Sequence, residues 1–176
     1  VATQVLIIMH VILGTADGIS STFFTATARL TMPLFLGIVV VFLCWFRRCR
    51  LNAEVFAPGK HKYAANTTVG TWFTPGVMWW APRRITLDIW SAGGATGSPW
   101  VINAWWAAWL AKSVGVTAYM VIDLNGNPNS PYIVLVDIVA SVLAVLMIQQ
   151  VTAAQKAKAA CGPAGPHAGY DEPSVS

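Results

Sequence analysis

Apolar residues fall into long blocks along this chain rather than into amphipathic stripes. Three blocks, at residues 30–46, 100–122 and 131–150, carry almost no charge. Each approaches the roughly 20 residues an α-helix needs to cross about 30 Å of hydrocarbon. A shorter block at 1–18 supplies a further helix. Between the last two spans, residues 123–130 are packed with Asp, Asn, Gly, Pro and Ser, which predicts a tight antiparallel hairpin.

The stretch 70–90 has the length of a span but contains Pro75, Pro82, Arg83, Arg84 and Asp88. Burying those charges in lipid is costly. It reads as a Pro/Trp-rich re-entrant or interfacial segment between the second and third spans, with Trp72, Trp79, Trp80 and Trp90 at headgroup depth. Residues 91–99 form a Gly-rich connector without the Gly-Lys-Ser/Thr order of a phosphate loop. The predicted fold class is therefore an all-α membrane protein of about four transmembrane helices. Its helical domain covers 1–152, and a polar Gly/Pro-rich tail, 153–176, is expected to be disordered unless a partner holds it.

Composition agrees: 56% of residues are hydrophobic and 10% charged, against about 25% charged in soluble domains. A pI near 9.2 raises the question of nucleic acid. The cations instead cluster at the ends of apolar blocks, where they set orientation, so no nucleic-acid partner is expected. Arg47, Arg48, Arg50, Lys60, Lys62, Arg83, Arg84, Lys156 and Lys158 are nine of the eleven Lys and Arg residues. One topology puts all nine in the cytoplasm: four spans, both termini inside, outer connections at 17–29 and 123–130.

Lys112 lies mid-span, where an unpaired ammonium is expensive. If the hairpin turns near Gly126, Asp137 faces a point about one helical turn, roughly 5 Å, from Lys112, within a lysine's reach. A structural ion pair pinning the hairpin is the plainer reading, and a proton or ion path the sharper one. His10 is a lone histidine within a span, so bis-histidine haem is not expected; His61 and His167 lie in polar segments. Cys44, Cys49 and Cys161 have neither disulfide-framework nor zinc spacing. No cofactor, metal or catalytic residues are assigned, since no Ser, Thr or Cys stands in a nucleophile motif. Arg47, Arg48, Arg50, Lys60, Lys62, Arg83 and Arg84 are candidate contacts for anionic lipid headgroups, although positive-inside orientation alone explains the patch. Ala104, Ala107, Ala108 and Ala111 form a small-residue stripe flanked by Trp105, Trp106 and Trp109, aromatics expected to face lipid or a neighbouring subunit.

From Phe42 to Trp109 the chain resembles an actinobacterial membrane family known as domain of unknown function 4328. The resemblance rests on the Arg-rich helix end running into Asn52-Ala53-Glu54-Val55-Phe56-Ala57-Pro58, then Gly70-Thr71-Trp72-Phe73-Thr74-Pro75, Trp80-Ala81-Pro82-Arg83, Asp88-Ile89-Trp90 and Asn103-Ala104-Trp105-Trp106. The chain departs at Asn66-Thr67, where the family usually has Gly-Trp, and at Met78, where it usually has Asn. The family has no established activity, so the resemblance implies a multi-span protein of the bacterial cell membrane and transfers no catalytic residue. The expected function is a non-catalytic accessory subunit of a larger membrane complex, most specifically a respiratory-chain (cytochrome) supercomplex, with other integral membrane subunits and phospholipids as partners. A lipid-headgroup-binding or lipid-handling protein is the alternative, and a small transporter or proton path using Lys112 and Asp137 the third reading.

Overall fold

A computed structural model describes residues 2–16, 21–59, 63–64, 67–122 and 131–161. Every regular element among them is helical: α1 Ala2–Ala16, α2 Ser21–Phe56, the short α3 Thr67–Gly70, α4 Ala81–Ala92, α5 Trp100–Leu110, α6 Val116–Ile122 and α7 Pro131–Ala160. A 3-10 turn at Val77–Trp79 precedes α4, and a π-helical turn at Ala111–Gly115 joins α5 to α6.

Two helices, Met32–Phe56 within α2 and Pro131–Ala160, are long and apolar enough to cross a membrane. Only 11% and 17% of their most apolar windows are buried inside the protein. A soluble core helix would hide that surface. Here Met32, Leu36, Val40, Leu135, Val139 and Val142 point outward, a display of large apolar side chains that water would penalise and lipid does not. Side-chain pairs fix the helix directions. Trp45 meets Thr152 and Asn52 meets Gln155, so α2 and α7 run parallel. Lys112 meets Asp137 and Gly115 approaches Tyr132, so the α5–α6 run is antiparallel to α7.

The buried core sits at the basic end of the bundle, where Phe46, Ala53, Ile85, Ile89, Ile102, Met147 and Val151 are almost fully enclosed. Residues 70–90 are broken as expected from their prolines, but they fold inward: α4 buries Ile85, Ile89 and Trp90 and packs against α2, α5 and α7. Pro82 opens α4 at a position where a missing N–H costs nothing. Of the four tryptophans expected at headgroup depth, Trp72 and Trp90 are packed against other parts of the protein. Trp72 is the hub of a ring cluster, with edge-on contacts to Phe42 at 5.4 Å, Phe46 at 5.9 Å, Trp106 at 6.3 Å and Trp109 at 5.8 Å. Trp90, Trp105 and Trp106 are buried, and Trp109 stacks on Trp106 at 4.8 Å. Edge-to-face pairs of this kind add about 0.5–1.5 kcal/mol each to the burial of the rings. Trp79 and Trp80 remain exposed.

Three further expectations change. The outer connection placed at 17–29 is shorter, because α2 already begins at Ser21. The polar tail does not begin at 153: α7 continues to Ala160, held by burial of Val151 and Gln155, while 162–176 lie outside the described residues. The connector at 91–99 contains a packing point, since a Cβ on Gly93 would lie 3.1 Å from the Ala154 backbone. The predicted hairpin at 123–130 lies outside the described residues.

Replacing Trp72 with Ala is expected to lower unfolding free energy in detergent by about 3–5 kcal/mol. Trp80→Ala should cost less than about 1 kcal/mol. Denaturant titration of the two variants checks the contrast.

Candidate functional site

Along the basic end, α2 and α7 act as parallel rails with an open groove of about 570 Å³ between them. Three hydrogen bonds hold its floor. Trp45 Nε1 donates to Thr152 Oγ1 at 3.3 Å, Gln155 Nε2 donates to the Cys49 carbonyl at 2.7 Å, and Asn52 Nδ2 donates to Gln155 Oε1 at 3.3 Å. Gln155 is buried, and these bonds satisfy its amide, which would otherwise be costly to enclose. The walls run from apolar Val41 and Trp45, past Arg48 and Lys156, to Phe56 and Ala159. Val41 and Phe56 are fifteen residues apart on one helix, so the groove is about 22 Å long. Arg48 and Lys156 are both exposed, and each comes from a different rail.

The expected cations therefore separate into three groups. Arg48 lines the groove, and Arg47 and Arg84 are exposed elsewhere on the surface. Arg50 and Arg83 are turned into the fold. Arg50 is 2% exposed; its Nη1 donates to Glu54 Oε2 at 2.8 Å and its Nη2 to the Tyr63 carbonyl at 2.6 Å. Glu54 also accepts from the Gly59 N–H at 3.0 Å, and Gly59 has a φ of 70° that suits a residue without a Cβ. Arg50 is thus a corrected expectation: it staples the end of α2 to the following segment and offers headgroups little surface. Arg83 Nε donates to Asn103 Oδ1 at 3.0 Å and struts α4 against α5. Lys60 and Lys62 lie outside the described residues.

Sequence reasoning missed Lys156, Asn52, Thr152 and Gln155 as one constellation because 153–176 was read as tail. The available signal was the continued spacing of Val145, Gln149, Thr152, Lys156 and Ala159, which keeps one stripe of α7 running beyond the apolar block.

At the other end, Lys112 Nζ bonds Asp137 Oδ1 across the α5–α7 contact. Lys112 sits in the π-helical turn, a local widening that shifts the side chains following it. Gly115 ends that turn, and a Cβ there would lie 3.2 Å from Tyr132 Oη. Ala104 and Ala108 are half-buried, but Ala107 and Ala111 are exposed, so the small-residue stripe is only partly used. The described residues contain no group of His, Cys, Asp and Glu able to hold a metal ion. Cys49 is buried, and Cys44 and Cys161 are exposed. The side chain of His10, and His61 and His167 altogether, lie outside what is described.

The family described as domain of unknown function (DUF4328) matches residues 12–153, and the chain belongs to it. That match extends beyond the 42–109 stretch whose motifs first suggested it. Neither a curated protein nor a solved structure matches the chain.

Lys112→Asp and Asp137→Lys should each destabilise the protein by setting two like charges against each other, and the double exchange should recover much of the loss. The expected coupling is about 0.5–3 kcal/mol, measured by unfolding the wild type, both single variants and the double variant in the same detergent.

Proposed function

We propose that this DUF4328 member is a non-catalytic, multi-pass membrane protein that binds anionic phospholipid headgroups at its cytoplasmic face. The observation carrying this reading is the α2–α7 groove, apolar along much of its length and flanked by Arg48 and Lys156. An apolar groove lined by two cations complements a phosphate-headed amphiphile, and each such cation contributes about 1 kcal/mol to an anionic lipid. The hydrogen-bonded floor adds preorganisation, because the cleft does not have to be opened for a ligand.

Parallel α2 and α7 require the chain to return between them, and the antiparallel α5–α6 run supplies that return. With α1 this supports four crossings. Arg47, Arg48, Lys156 and Lys158 then gather at one end, which positive-inside orientation assigns to the cytoplasm. The Lys112–Asp137 pair is closed on itself and favours a hairpin latch over a transport path. An accessory role in a larger assembly, such as a respiratory-chain supercomplex, is the second reading. It draws on the exposed aromatics Phe73, Trp79, Trp80 and Trp100, residue types enriched where a neighbouring subunit is met.

Native mass spectrometry of protein extracted in mild detergent is expected to find phosphatidylglycerol retained above phosphatidylethanolamine. Arg48→Gln and Lys156→Gln should each weaken retention by roughly fivefold, while Arg47→Gln and Arg84→Gln leave it unchanged. Equal loss in all four variants would overturn the groove as the site. Recovery with a fixed set of integral subunits and no preferred lipid would favour the accessory role.

A further inference from the structure

A second hollow, of about 330 Å³, lies between α1 and α7, lined by Ile7, Ile12, Val142 and their neighbours. Resting on the lipid reading above, we infer that this hollow and the α2–α7 groove are two ends of one trough, and that it holds a single anionic lipid whose tail passes the bilayer midplane.

The register of α7 carries the inference. Ile138, Val142, Val145 and Gln149 line the hollow, and Thr152 and Lys156 line the groove. Their spacings alternate between four and three residues, so all six share one stripe of the helix. Gln149 and Thr152, the last residue of one cavity and the first of the next, are a single turn apart. Only the opposing wall changes, from α1 at the hollow to α2 at the groove.

Length and charge then select the occupant. Ile138 and Lys156 are eighteen residues apart, about 27 Å along the helix. From headgroup level to the midplane is about 20–22 Å. An amphiphile anchored at Lys156 and Arg48 therefore has a lined path past the midplane, suited to a long acyl or isoprenoid chain. A soluble phosphate compound would leave the apolar length unfilled. A second copy of the chain would bring like cations together at the charged end.

The test uses wild-type protein in bilayers with photoactivatable phosphatidylglycerol carrying a diazirine either beside the glycerol or at a chain terminus. The head-proximal probe is expected to label 44–52 and 152–156, and the terminal probe 138–146, both competed by unlabelled phosphatidylglycerol. Val142→Trp, at an exposed position that tolerates bulk, should cut terminal-probe labelling at least about threefold without changing head-proximal labelling. Head-proximal labelling as expected, with terminal labelling spread over outward residues such as Leu36 and Leu135, would overturn the single trough and leave the headgroup site standing. Failure of the head-proximal probe to label either segment would overturn the headgroup site itself.

Discussion

Contact between the Trp72 ring and the aromatic side chains of α2 and α5 holds the basic half of this protein together. Phe42 and Phe46 reach it from one helix, and Trp105, Trp106 and Trp109 from the other. Most of these contacts are edge-on or tilted, which suits the ring quadrupole. Because Trp72 belongs to the proline-broken segment, the cluster ties that segment to both helices. It thereby also seats α4, whose inner face closes the core against α2 and α7.

The two halves of the bundle are built differently. Toward the basic end the protein buries a packed core and pairs several enclosed polar groups, as with Gln155 on Cys49 and Arg50 on Glu54 and Tyr63, while the buried Trp72 Nε1 and Gln150 Oε1 have no hydrogen-bond partner among the described residues. Away from it, α1, α2 and α7 turn large apolar residues outward, and the titratable side chains Lys112 and Asp137 answer each other. Hydrocarbon around the outward-facing half would impose such a division, because a lone polar group there is costly. The groove lies where the regimes meet, with an apolar wall continuing into one and two cations belonging to the other.

The all-helical fold and two helices long and apolar enough to cross a membrane were legible in the sequence, because block length and charge-free composition set both. The meeting of Lys112 and Asp137 followed from hairpin arithmetic alone. What escaped depended on tertiary contacts. A tryptophan beside a proline-rich segment has the same local signature whether it lies among headgroups or in a ring cluster, and only the partners Phe42, Phe46 and Trp106 decide for Trp72. Arg50 has nearly the same sequence surroundings as Arg47 and Arg48, yet its guanidinium is enclosed by Glu54 and the Tyr63 carbonyl. The continuation of α7 through Gln155 was masked by small residues, whose helix is stabilised by packing on Cys49, Asn52 and Gly93.

Occupancy of the groove is tested most directly by amide NMR of the protein in nanodiscs containing phosphatidylglycerol spin-labelled on its headgroup. Selective broadening at Arg48, Asn52 and Lys156, exceeding that at exposed Arg84, is the expected result. Equal broadening at Arg84 and at the groove residues would mean that the lipid samples the basic face without settling between α2 and α7, and would contradict a bound headgroup.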